Sequence, residues 1–289
     1  AGKMVVYFDS ESAIDPMFLE RAGCDLERLM YVQASSVEFV LETIEELLGA
    51  TDEQMVFIWD SLAFTPSISD VQGDFNPQSS MAVKARILAK GMSKLVIPIA
   101  DKKATFIVLN QLKTNIPQGP LARQIAMTTP YITPGGKAMH YAYSLRIWLT
   151  GRKAKSAFIE DERGFRIGSE VKVKLEKSRF GTQGRSCAFR IMWGTDDVGI
   201  RDEESWFDAI KGSEHLSSAG AWYTLSMPDG YVKKFQPSKW TELVTSDEEF
   251  KSRVISIMDE EIVQKFDKRQ GDASTYYEDP EDISVPIKE

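Results

Sequence analysis

A chain of 289 residues, 43% hydrophobic and 27% charged, has room for one large globular domain or for a core domain and a smaller one. No apolar stretch reaches the roughly 18 residues of a membrane span, and the N-terminal apolar run leads straight into acids, unlike a signal peptide. Cys24 and Cys187 lie far apart, fit no metal-ligand spacing, and read as core-filling residues of a reducing, intracellular setting.

Met4 to Phe8 has the pattern of a short buried strand and ends in Asp9-Ser10-Glu11. Asp15 can cap a helix that carries Pro16 in its first turn. Between 37 and 48, Val37, Val40, Leu41, Ile44, Leu47 and Leu48 share one face of an amphipathic helix. Met55-Val56-Phe57-Ile58-Trp59 then runs unbroken into Asp60 and Ser61. Such a run suits a strand covered on both faces, and Asp60 stands at its carboxyl end, where parallel sheets bind ligands. Strand, helix, strand is the alternation that builds a parallel sheet.

Residues 65–80, rich in Ser, Pro, Asp, Gly and Asn, read as a polar loop. A helix follows over about 80–99, then a strand from Thr105 to Leu109 that ends in Asn110-Gln111. Residues 112–136 lack periodicity, and a loop of that length inside a compact domain is functional or disordered. Beyond a segment near 138–149, the pattern predicts a hairpin at 156–167 and strands at Val171–Leu175 and Cys187–Trp193. From about 200 the chain turns acidic and helical. Trp206, Phe207, Ile210, Trp222, Tyr223, Trp240, Val254, Ile257 and Met258 suffice for a second core. The expected architecture is α/β: a mostly parallel central sheet flanked by helices over 1–199, and a small helical domain over 200–270. The stretch 271–289, with six acids and one lysine, is expected to be a disordered tail.

The net charge of −8 argues against a polyanion partner, but its distribution does not. Residues 101–190 hold 17 Lys and Arg against 6 Asp and Glu, while the remainder holds 18 against 37. A basic middle between acidic ends fits a polyanion-binding surface, and fits solvated faces as well.

Three strand ends carry polar residues at one rim of one sheet: Glu11, Asp60 and Asn110-Gln111. A carboxylate to activate water, a carboxylate to hold Mg²⁺ through water and an amide to sense a phosphate make a nucleotide-hydrolysis set. Each also serves elsewhere as a cap or turn residue. Neither His140 nor His215 has a metal-ligand partner at useful spacing.

Ordered blocks carry a resemblance. They are Tyr7-Phe8-Asp9-Ser10-Glu11 with Asp15-Pro16, the strand at 55–61 with Thr65-Pro66, and Leu109-Asn110-Gln111. Further along come Pro134-Gly135-Gly136-Lys137-Ala138, Ser144-Leu145-Arg146, Gly168-Ser169-Glu170, Lys174-Leu175-Glu176-Lys177-Ser178-Arg179 and Ala219-Gly220-Ala221-Trp222-Tyr223. In their order and spacing, from residue 3 to about 245, the chain resembles the RecA recombinase family, most of all its phage branch, the UvsX-like proteins.

That resemblance implies a RecA-like ATPase core over 1–199, with ATP and Mg²⁺ as its cofactors. Glu11 would orient the attacking water and Asp60, beside Ser61, would hold the Mg²⁺ shell. Asp15 and Phe18 would meet the adenine. Gln111 would sense the γ-phosphate, and Lys177 and Arg179 would reach it across a subunit interface as arginine fingers do. The loops near 67–77 and 112–134 match two DNA-binding loops. Arg86, Lys113, Arg123, Tyr131, Gly135, Gly136 and Lys137 are the implied contacts, suited to single-stranded DNA by charge and stacking.

The implied partners are single- and double-stranded DNA and further copies of the chain in a helical filament, with no membrane. The location would be the cytoplasm, of a bacterial host cell if a phage encodes the chain. One departure matters most: no GxxxxGK[ST] phosphate loop is present, since Gly2-Lys3-Met4 lacks the hydroxyl and enters a strand, while the smaller ones are His140 in place of a lysine common in bacterial relatives and Lys137 in place of a common Asn. The missing loop is expected about one helix upstream, on an N-terminal part that completes the site, and the chain alone is expected to hydrolyse ATP poorly or not at all. A replicative helicase of the same fold and a non-catalytic DNA-binding recombinase paralogue are the alternatives.

Overall fold

The strands that open the chain alternate in burial, and this alternation decides where the core lies. The computed structural model describes residues 2–73, 83–129, 131–151, 157–180, 183–194 and 198–263, in two compact units that meet in sequence at Tyr143 and Ser144. The first unit opens with β1 (Met4–Asp9), α1 (Pro16–Arg21), β2 (Leu29–Gln33), α2 (Val37–Ala50) and β3 (Met55–Asp60). It continues with α3 (Ile68–Gln72), α4 (Val83–Asp101) and β4 (Thr105–Val108). The four strands form one all-parallel sheet in the order β2-β1-β3-β4.

Val6 and Phe8 of β1 and Phe57 and Trp59 of β3 are fully buried under α2 and α4. The helices contribute Val37, Val40, Leu41 and Ile44, and Leu88, Met92 and Leu95. Side chains of this size stabilise the fold by about 1.5–3 kcal/mol each on burial. The two helices approach closely at Gly91, where a Cβ would meet Leu41 Cδ1 at 2.5 Å. The opposite sheet face is only half-buried at Val5, Tyr7, Val56 and Ile58, and Ile107 is exposed. The run at 55–59, expected to be covered on both faces, is therefore fully covered on one.

Helix ends follow the local chemistry. Asp15 caps α1 by accepting from Met17 N, with Pro16 in the first turn as the spacing predicts. Ser36 caps α2 through Phe39 N. Part of the expected 65–80 loop is the short helix α3, started by a capping box in which Ser67 and Asp70 satisfy each other's backbone N–H groups. Residues 74–82 of that loop lie outside the described residues.

The segment 112–136, read as lacking structure, has a stem. β5 (Lys113–Thr114) pairs antiparallel with β6 (Tyr131–Ile132), and α5 (Ala122–Thr128) lies between them. α6 (Gly136–Ala142) ends the first unit and packs on α4. Two-residue strands are too short to show a period of two, so the sequence hides them.

The second unit begins with β7 (Leu145–Gly151), β8 (Phe158–Glu160), β9 (Arg166–Ser178), β10 (Ser186–Trp193) and β11 (Val198–Arg201). They form an antiparallel sheet in the order β11-β10-β9-β7, with β8 also paired to β9 as the hairpin pattern predicts. There follow α7 (Glu203–Ile210), the three-stranded sheet β12 (Leu216–Ala219), β13 (Trp222–Ser226) and β14 (Val232–Phe235), then α8 (Trp240–Ser246) and α9 (Glu248–Met258). Phe207, Phe235, Trp240 and Phe250 form an aromatic centre, with Phe207 and Trp240 ring centres 4.9 Å apart.

Three expectations need correction. Cys24 and Cys187 are exposed and fill no core. Trp222 is 41% exposed, with the Lys234 ammonium 5.2 Å from its ring, and is not part of the second core. β2 and β12–β14 escaped the pattern: β2 is a short edge strand, and Lys233 and Lys234 break apolar continuity in β14, also at an edge. The acidic tail from Gly271 lies outside the described residues.

Candidate functional site

Parallel pairing brings the carboxyl ends of β1, β3 and β4 to one rim. Asp9 pairs in register with Asp60, and Trp59 with Val108. Beyond the strands the chain is still held. Ser10 N donates to Asp60 O at 2.7 Å, Ser61 N donates to Ser10 Oγ at 2.8 Å, and Leu62 N donates to Leu109 O at 3.0 Å. The peptide bond between Asp60 and Ser61 is cis.

This clamp places Glu11 beside Ser61, whose buried Oγ donates to Glu11 Oε1 at 3.1 Å. Glu11 is otherwise exposed. Its backbone is fixed by Asp9, which is 2% exposed. Asp9 Oδ1 accepts from Glu11 N at 2.8 Å and Ser12 N at 2.9 Å, and Oδ2 accepts from the Tyr31 hydroxyl at 2.9 Å. Asp60 is half-buried and accepts from the Tyr7 hydroxyl at 2.5 Å. Burial first, then Asp60, push the Tyr7 phenol above the ordinary tyrosine range.

After β4, Asn110 Nδ2 donates to Pro134 O at 2.9 Å and so closes the base of the 112–134 excursion, while Gln111 is exposed. Gly135 and Gly136 follow with φ of +105° and +75°, where glycine is favoured. A Cβ on Gly135 would meet Leu62 Cδ2 at 3.3 Å and Leu88 Cδ1 at 3.4 Å, so this turn packs on the chain just after Ser61. Lys84 joins the same turn from α4, donating to Leu62 O at 2.7 Å and Thr65 O at 2.6 Å. Burial pulls its ammonium below the ordinary lysine range.

The rim thus gathers Glu11, Asp60, Ser61 and Gln111. Asp15 and Phe18 lie apart on α1, where the Asp15 carboxylate is the helix cap and Phe18 is 40% exposed. Arg86 is exposed on α4, and Lys113, Arg123, Tyr131 and Lys137 are exposed on the excursion and the start of α6. Lys177 and Arg179 belong to the second unit. There Lys177 pairs in register with Arg146, and Arg179 N donates to Ser144 O at 3.0 Å. Burial, then Arg179 and Arg146, draw the Lys177 ammonium below the ordinary lysine range.

Among the described residues no group of three or more His, Cys, Asp or Glu side chains is placed to hold a metal ion. A single carboxylate at a strand end suits Mg²⁺, which keeps most of its own waters beside a phosphate, and Asp60 fits that demand. Nor is any helix among the described residues long and apolar enough to cross a membrane.

The model of the RecA N-terminal domain matches residues 1–199. The chain belongs to the RecA family. It is 29% identical over 226 residues to Protein RecA of Clostridium novyi, covering 78% of this chain and 59% of that one. The identity is 30% over 227 residues to Protein RecA of Fusobacterium nucleatum, with 77% and 54% covered, and 27% over 224 residues to that of Synechocystis, with 78% and 59% covered. The chain spans a little over half the length of these RecA relatives.

Three residues had no sequence signal of their own, two at the rim and one in the second unit. At the rim Asp9 reads as a strand-ending turn residue and Tyr7 as part of an apolar run, and in the second unit Arg146 reads as one cation among many. Only cross-strand register brings Tyr7 to Asp60 and Arg146 to Lys177.

Proposed function

We propose that the chain is part of an ATP-dependent homologous recombinase of the phage, UvsX-like type, acting in the cytoplasm of a bacterial host. On this reading 1–199 is an ATPase core, 200–270 a small C-terminal domain, and an N-terminal part supplies the phosphate loop. The observation that carries the proposal is the convergence of Glu11, Asp60 and the Asn110-Gln111 pair on adjacent carboxyl ends of one parallel sheet.

Glu11, oriented by Ser61, aligns a water and takes its proton. Asp60 holds the water shell of Mg²⁺, and the ion when bound neutralises phosphate charge. Lys177 and Arg179 from a neighbouring copy stabilise the charge on the transferring phosphoryl group. Asp15 and Phe18 contact the adenine. Gln111 stands at the head of the 112–134 excursion, whose base Asn110 closes on Pro134. A change in Gln111 is therefore passed to Lys113, Arg123 and Tyr131, which meet single-stranded DNA with Arg86, Gly135, Gly136 and Lys137. The filament then stretches that strand and tests a duplex for matching sequence.

Electron microscopy of the chain on single-stranded DNA, with ATP, Mg²⁺ and a phosphate-loop segment, tests this. Open helical filaments are expected. Closed rings would replace the reading with a replicative helicase, and DNA binding without nucleotide-dependent assembly would replace it with a non-catalytic paralogue.

A further inference from the structure

The rim is backed by a ladder of tyrosines and carboxylates that the nucleotide set does not account for. Tyr31 on β2 pairs in register with Tyr7 on β1, and two residues on, Asp9 pairs with Asp60 on β3. The period of two places Tyr31, Tyr7, Asp9 and Asp60 on one sheet face, the half-buried one. Each hydroxyl reaches diagonally to the carboxylate of the next strand: Tyr31 to Asp9 Oδ2 at 2.9 Å, and Tyr7 to Asp60 Oδ2 at 2.5 Å. The two rungs differ in what they hold. Asp9 is buried, and its other oxygen is spent on Glu11 N and Ser12 N. Asp60 is open to the rim, and among the described residues its Oδ1 accepts no hydrogen bond.

We propose that Tyr7 is a positioning residue for Asp60: its hydroxyl fixes Oδ2 and leaves Oδ1, in one orientation, for the water shell of the Mg²⁺ ion. The proposal rests on the Mg²⁺ role given to Asp60 above. The physical case is that a carboxylate at a wet rim has free rotation about its terminal bond. A phenol–carboxylate bond at the short end of the charge-assisted range removes that freedom. Because it also draws charge from the carboxylate, it favours contact through water over direct coordination. Outer partners that orient a metal's ligand commonly account for roughly 10–100-fold in metal affinity.

The experiment follows fluorescence of methylanthraniloyl-ATP bound to the full chain supplemented with the phosphate-loop segment, titrated with MgCl₂. Tyr7→Phe keeps the ring and removes only the donor. It is expected to raise the Mg²⁺ midpoint by about 10-fold while nucleotide binding without Mg²⁺ stays unchanged. An unchanged midpoint in Tyr7→Phe overturns the proposal. An equal shift in Tyr31→Phe also overturns it, because the effect would then be a general loosening of the rim. The underlying reading fails separately: if wild type and Asp60→Asn share one midpoint, Asp60 holds no metal shell and Tyr7 has nothing to position.

Discussion

Asp9 shows how one buried side chain can hold the turn that carries an exposed neighbour, Glu11. It is held from three sides, by Glu11 N, Ser12 N and the Tyr31 hydroxyl. Asp9→Ala leaves two backbone donors and a phenol without their acceptor, at a cost of roughly 1–3 kcal/mol. Urea unfolding should show that loss, and an unchanged midpoint would mean that the Glu11 turn holds itself. The sequence makes Asp60 legible because an apolar run stops abruptly at it, and Glu11 and Gln111 legible as polar residues just past the ends of such runs. Asp9, Tyr7 and Arg146 stay hidden because their meaning depends on which strand lies alongside and in which register. Asp15 is legible as a cap, and the structure shows that bond. The left-handed backbone of Gly135 and its packing on Leu62 appear only once the 112–134 excursion has closed.

At the scale of elements, helix–helix contact outweighs propensity at Gly91. Alanine there gains about 1 kcal/mol of helix propensity. A Cβ, however, sits 3.1 Å from Leu41 Cγ as well as against both of its methyls, so the whole side chain must move. Overpacking of this kind costs about 1–3 kcal/mol, and Gly91→Ala is expected to be net destabilising in thermal unfolding. In the second unit Asp247 caps α9 through Phe250 N and takes Lys233 as an ion partner. The backbone bond from Phe250, then Lys233, hold its carboxyl below the ordinary Asp value of 3.8. With the folded value depressed, this contribution is complete above 3.8 and fades as pH falls through the folded value. Asp247→Asn should therefore melt earlier than wild type at neutral pH, and the gap should close in strong acid. A gap that persists there would assign the effect to packing. α2 was readable from its period, and β1 and β3 from their unbroken apolar runs. β2, β5, β6 and the β12–β14 sheet were not, because short or two-sided strands carry no alternation to read.

For the molecule as a whole, charge is arranged against its own sum. The basic stretch 101–190 includes the excursion bearing Lys113 and Arg123, whereas the sequence from Gly271 is acidic. On the proposed reading, Lys113→Gln and Arg123→Gln each weaken single-stranded DNA binding at every sequence and lower its salt slope by about one. On the same reading, deleting 271–289 should raise DNA affinity, since an acidic tail competes for the same cations. The α/β class and the family were legible in the order of several short blocks, none of which suffices alone. The decisive measurement is DNA-stimulated ATP hydrolysis by the chain, with and without a segment carrying the phosphate loop. Turnover is expected only in the mixture, reduced by about 10²-fold or more in Glu11→Gln. Robust hydrolysis by the chain alone, or turnover in the mixture that Glu11→Gln leaves intact, would contradict that expectation.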